Sequence, residues 1–383
     1  LNAYDGEGFC RRGVILVTLN YRLNVFGFLA LPELLDAEGA TGTYGVLDQL
    51  AGLEWVRDNI AAFGGDPGRV TVFGQSAGGM SVANLLNTPL SDGLIHGAIM
   101  QSGGGLTHGT VGAPLGPDEA LATGRDFLAA TGCDLAGLRA LTAPELLERY
   151  VDFARGRPMP FQPVVDGIVI PEAPAAFFGA GRHADIPTIV GATNDEMRDL
   201  AAPVPGPDAV RALAARFGER ASGFLKALDA QGGPRASDFS DPTGDQFLAG
   251  ALAWCDNQAR LGRGPTWLYQ FTYVPPTAGM AHHSAEHHYV FETLSGSARP
   301  YTADDYDLAL DLAGYWTNFV KTGDPNGPKY PVGGEPLPVW TSWDASDPQA
   351  LIVEPEPRMG EVVLSVPRTF LREAIGAAVS DRR

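Results

Sequence analysis

Val70-Thr71-Val72-Phe73-Gly74-Gln75-Ser76-Ala77-Gly78-Gly79 is the stretch on which the fold turns. Four apolar or β-branched residues without alternation read as a strand buried on both faces. A helix signal follows from Gly79 to about Leu86. Between the two lies Gly74-Gln75-Ser76-Ala77-Gly78, a GxSxG pattern. With 48 glycines in 383 residues, chance supplies about 0.2 such matches. The strand-turn-helix setting supplies the specificity that composition lacks. A serine held in a strained turn needs small neighbours so that the backbones can pass closely. Such a turn lifts the hydroxyl to a helix N-terminus, where the dipole and the Ala77 N–H favour an oxyanion. Ser76 is therefore the candidate nucleophile and Ala77 the candidate oxyanion donor.

Outward from that turn the chain alternates strand and helix, which predicts an α/β fold with a mostly parallel central sheet. Val14 to Leu19 reads as an earlier buried strand, and Gly45 to Ile60 as a helix broken by Phe63-Gly64-Gly65-Asp66-Pro67. Ile95 to Gln101 reads as a strand closed by Ser102-Gly103-Gly104-Gly105, with further strands at Ile186 to Gly191 and Trp267 to Tyr273. Thr302 to Lys321 has helical spacing and stops at Gly323 and Pro325. Residues 117–155 and 205–262 are Ala/Leu-rich and read as helical insertions over the sheet, the first carrying a capping box at Thr142-Ala143-Pro144-Glu145. The whole, residues 1–383, reads as one domain.

A serine base must itself be oriented by an acid, and in this arrangement both follow later in the chain, acid before histidine. Glu196 fits the acid, at the end of a glycine-led loop after the Ile186 strand, in the company of Asp195 and Asp199. The histidine candidates crowd together as His282, His283, His287 and His288. One rival sits in the same place: His283-Ser284-Ala285-Glu286-His287 matches HxxEH, a zinc-protease motif that needs both histidines on one helical face. The segment follows Pro275-Pro276 and reads as loop, against that rival.

Composition narrows the partners. Lys plus Arg is 27 against 45 Asp plus Glu, a net charge of −18. Such a surface repels phosphate backbones and argues against nucleic acid. No 18-residue apolar run exists to span a bilayer. Cys10, Cys133 and Cys255 are too far apart for a CxxC motif.

Taken together these segments resemble the type-B carboxylesterase/lipase family, almost end to end. Asn20-Tyr21-Arg22-Leu23 with Phe26-Gly27-Phe28 resembles NYRLGxxGF, with Asn24 in place of the usual glycine. Phe63 to Pro67 and Val70 to Gly79 resemble FGGDPxxVTxxGxSAGG, with Gln75 where glutamate is common. Gln101-Ser102-Gly103 resembles QSG, Gly191 to Glu196 resembles GxxxDE, and Trp316 to Pro325 resembles WxxFxxTGDP. His283 to Phe291 resembles HxxExxYVF, which selects His283 as the base. The resemblance implies an α/β-hydrolase fold, a Ser76–His283–Glu196 triad, a supporting hydrogen-bond role for Ser102, a small-molecule ester as substrate, and no metal or cofactor. An inactive scaffold of the same fold is the alternative, weakened because all three triad residues are kept. No histidine is followed by three glycines. The family's HGGG oxyanion loop would fall just upstream of Asn2, with the first strands. On that expectation the strands at Val14–Leu19 and Val70–Phe73 either stand about 9–10 Å apart or pair directly.

Overall fold

The computed structural model describes residues 3–35, 39–106, 113–199, 203–215, 217–331, 334–362 and 364–380. Its centre is a six-stranded sheet in sequence order: β1 (Thr71–Gln75), β2 (Gly97–Gln101), β3 (Thr188–Thr193), β4 (Thr266–Phe271), β5 (Gln349–Val353) and β6 (Arg358–Glu361). The first five are parallel and β6 runs antiparallel to β5.

Both faces of the sheet are covered, which is why the strands read as continuous apolar runs. Ala98, Met100, Val190, Ala192, Leu268 and Ile352 share one core with the helices Ala77–Leu86 and Pro242–Leu261. The alternate residues Ile99, Ile189, Trp267, Tyr269, Phe271 and Leu351 point the other way, into a core with the helix Ala303–Thr322. The two Ala/Leu-rich stretches contain helices: Pro117–Thr131, Leu135–Ala140 and Ala143–Ala154 in the first, Pro207–Ala215, Ala221–Ala230 and Pro242–Leu261 in the second. The Thr142 capping box forms, with the Thr142 N–H donating to Glu145 at 2.7 Å.

Two sequence expectations need correction. Val14–Leu19 has no regular secondary structure and joins no ladder among the described residues, so it is not a strand of this sheet and does not pair with β1. Val14 and Leu16 pack inward, while Ile15, Val17 and Leu19 are 43%, 38% and 39% exposed. β1, expected to be buried, is half-buried along its whole length because β2 is its sole strand neighbour among the described residues. β5, β6 and the helix Val366–Ser380 were not foreseen.

Candidate active site

Four consecutive parallel strands deliver the candidate residues at their carboxyl ends, where ligands bind in open α/β sheets. Ser76 follows β1 directly and caps the helix Ala77–Leu86 with φ 57° and ψ −121°. An L-residue held there stores roughly 1–3 kcal/mol of backbone strain. The neighbouring chain keeps it in place. The Ser76 N–H donates to the Gln101 carbonyl at 2.8 Å, and the Met80 N–H to the Ser76 carbonyl at 3.0 Å. The glycines answer to space: a Cβ on Gly74 would sit 2.4 Å from the Gly78 carbonyl carbon, and one on Gly103 would sit 2.4 Å from the Ser76 carbonyl oxygen. Ala77 opens the helix, so its N–H belongs to the first turn, whose donors have no partner within the helix.

Glu196 lies in the loop after β3, its side chain fully buried. One carboxylate oxygen accepts the Thr193 N–H at 2.7 Å; the other is hydrogen-bonded to His283 Nδ1. Main chain doubles this contact. The His283 N–H donates to the Glu196 carbonyl at 2.9 Å, and Asp195 and Ala281 exchange two further bonds through the Asp195 N–H and its carboxylate. The acid loop and the histidine loop are thus laced together before any side-chain chemistry is considered. Burial works against a charge on His283, but the Glu196 hydrogen bond and the negative charges of Glu196, Glu286 and Asp241 raise its pKa above the ordinary value.

The other histidines are committed elsewhere. His282 is bonded through Nδ1 to the His283 carbonyl (2.8 Å) and lies with Nε2 3.2 Å from Arg299. The His287 ring stands edge-on to Tyr4 at 4.3 Å, and burial pushes its pKa down to about 4. Ser284, at φ 65°, breaks the backbone between His283 and His287, and the short helix His287–Val290 begins only at the second histidine. The one-face arrangement that HxxEH zinc binding needs is therefore not formed. Among the described residues no group of three or more His, Cys, Asp or Glu is arranged to hold a metal ion.

The structure brings Glu196 and His283 together, but no hydrogen bond joins Ser76 Oγ to His283 among the described residues. Gln75 stands there instead, with Nε2 3.2 Å from His283 Nε2. Ser102 differs from expectation as well. Its backbone is left-handed at φ 47° and its N–H donates to the Gly191 carbonyl, but its buried hydroxyl has no hydrogen-bond partner among the described residues. The supporting hydrogen bond expected of that hydroxyl is not formed among the described residues.

Sequence reasoning assigned no role to the layer beneath the histidine. Glu286 is fully buried; its Oε1 accepts from Gln101 Nε2 at 3.2 Å and from the Tyr269 hydroxyl at 3.3 Å, and Trp316 Nε1 donates to Gln101 Oε1 at 3.2 Å. Glu286 Oε2 has no hydrogen-bond partner among the described residues. Burial, then the nearby charge of Glu196, pushes the Glu286 pKa up to about 7. The signal was present in the motifs, since Gln101, Glu286 and Trp316 each lie in one of the separated segments quoted above.

Comparison with known proteins agrees with this architecture. The carboxylesterase family profile matches residues 1–366. The chain is 35% identical over 340 residues to the para-nitrobenzyl esterase of Bacillus subtilis (strain 168), covering 84% of this chain and 67% of the relative. It is 34% identical over 349 residues to the fumonisin B1 esterase of Sphingopyxis macrogoltabida, covering 84% of this chain but 62% of that relative. A solved thermophilic PNB esterase superposes with a TM-score of 0.79 at 30% identity, over 96% of this chain and 76% of the other.

Proposed function

This chain belongs to the carboxylesterase family and has the α/β-hydrolase fold, and from that premise we propose that it acts in the hydrolysis of small-molecule carboxylic esters, with Ser76 as nucleophile, His283 as general base and Glu196 as the orienting acid. Ser76 Oγ attacks the ester carbonyl while His283 Nε2 takes its proton; the same proton then goes to the departing alcohol. The Ala77 N–H, at the positive end of its helix, donates to the oxyanion. Water repeats the sequence on the acyl-enzyme, with His283 again as base. The observation that carries the reading is the Glu196–His283 clasp, made by side chain and main chain together, at the carboxyl end of the same sheet as the strained Ser76 turn. A carboxylate that only accepts fixes the proton on Nδ1 and leaves Nε2 as the basic nitrogen. No step of this sequence calls for a metal or cofactor.

The test is a p-nitrophenyl ester chain-length series on the intact natural protein and its Ser76→Ala variant. Stoichiometric release of nitrophenol in a burst, lost in the variant, is the expected result. Undiminished turnover in Ser76→Ala overturns the reading.

A further inference from the structure

Gln75 ends β1, and its amide crosses to the histidine: Nε2 lies 3.2 Å from His283 Nε2 and 3.5 Å from Nδ1. Resting on the assignment of His283 as general base, we propose that Gln75 is a positioning residue that caps the imidazole at Nε2 in the resting protein and yields that nitrogen to Ser76 when an ester enters.

Chemistry settles which end of the amide faces the ring. Glu196 is acceptor-only, so Nδ1 carries the proton and the neutral ring offers a lone pair at Nε2. The NH2 end of Gln75 donates to that lone pair; the carbonyl end would oppose it with lone pairs of its own. The cap therefore binds neutral imidazole and is lost on protonation, when Nε2 becomes a donor. It keeps the ring in the tautomer that deprotonates Ser76, and it occupies the nitrogen that must do so.

The cap opposes its surroundings. Glu196 from the loop after β3, Asp241 at the start of the helix Pro242–Leu261 and, where ionised, Glu286 from the histidine's own loop favour imidazolium, against burial. The Phe247 ring, on that helix, stacks on His283 at 5.9 Å and adds no charge. From β1 the hydrogen-bond partner of the histidine among the described residues is the neutral amide of Gln75. A carboxylate at 75 would be one more negative charge, placed against Nε2 itself. The amide thus keeps the base unprotonated to lower pH than a glutamate there would allow.

The acidic limb of kcat/KM reports ionisation of the free enzyme and reads this out. In the intact protein, Gln75→Glu, which keeps the shape, should move that limb up by about one pH unit or more. Gln75→Met, which fills the space without a donor, should move it up by about half a unit, the scale of one neutral hydrogen bond. A purely structural glutamine would change rate or stability in both variants and leave the limb in place. Unmoved limbs, or a downward shift in Gln75→Glu, overturn the cap. Should Gln75→Met fail to fold, Gln75→Ala supplies the donorless variant, with the same upward shift expected and an unmoved limb overturning the cap. His283→Ala separates the two layers of the argument: retained turnover removes the base assignment and the cap with it, whereas lost turnover with unmoved limbs removes the cap only.

Discussion

The two sides of the sheet around β2 make a sharp contrast. All six residues of β3 are buried, and the loop that follows is bound to the histidine loop through main chain and side chains. On the other side all five residues of β1 are half-buried, and the apolar stretch Val14–Leu19 crosses the surface with three large side chains exposed. Both stretches read alike in sequence, as short β-branched apolar runs. Hydrophobic composition thus reports that a segment can be covered, while coverage depends on a neighbour that composition does not name. The side with neighbours on both flanks carries Glu196 and His283; the Ser76 turn springs from β1, flanked on one side only among the described residues.

If chemistry resides where these two sides meet, the largest effect belongs to Ser76. Ser76→Ala in the intact protein should lower ester turnover by roughly 10³–10⁶-fold, because residues acting as one unit fail together. A zinc chelator should leave turnover unchanged. Activity that survives the substitution and disappears with the chelator would break the comparison at its root. Next comes the acid. Glu196→Gln keeps the shape and removes the charge that stabilises imidazolium, so a loss of about 10²–10⁴-fold is expected with little change in unfolding midpoint. A loss below tenfold would show that another group orients His283.

A smaller effect tests the layer beneath the histidine. Glu286 has a pKa pushed up by burial from 4.5 to about 7. Between those values the folded protein holds a proton that the unfolded chain releases, so stability falls as pH rises through the window and levels above it. Glu286→Gln removes this titration. Denaturant unfolding at pH 4.5 and 7 should show the natural protein losing on the order of 3 kcal/mol more than the variant. Parallel pH dependences would mean that Glu286 is ionised in its buried site.

Much of this was legible in the sequence for a definite reason. The turn at Ser76, the strand-helix alternation and the capped helices depend on local rules, such as small residues where backbones touch and caps where helices begin. Even the departure at Asn24 follows such a rule: its φ of 46° lies in the left-handed region, which asparagine tolerates better than other non-glycine residues. What escaped depends on distant segments meeting. Glu286, Gln101 and Trp316 converge from three places in the chain, and no spacing links them. Gln75 lies outside the triad pattern, and its reach to His283 is a matter of fold. β5 is a short strand whose partner β4 lies far away in the chain, and β6 turns back onto β5.

The smallest effects sharpen the contrast most directly. Val190 in β3 is 1% exposed and Val17 is 38% exposed. Valine to threonine keeps the shape and swaps one methyl for a hydroxyl, so the cost reports whether that position is dry. In the core a hydroxyl left without a partner costs about 1–3 kcal/mol. At a surface position the change stays within about 0.5 kcal/mol. Val190→Thr and Val17→Thr, compared by denaturant unfolding of the intact protein, should therefore differ by 1 kcal/mol or more. Equal and large costs would show that Val17 is covered, by chain or by a partner, and the contrast between the two sides of the sheet would vanish. Equal and small costs would mean that the β3 hydroxyl finds a hydrogen bond in the core, which Ser102 Oγ, also buried at this end of the sheet, does not.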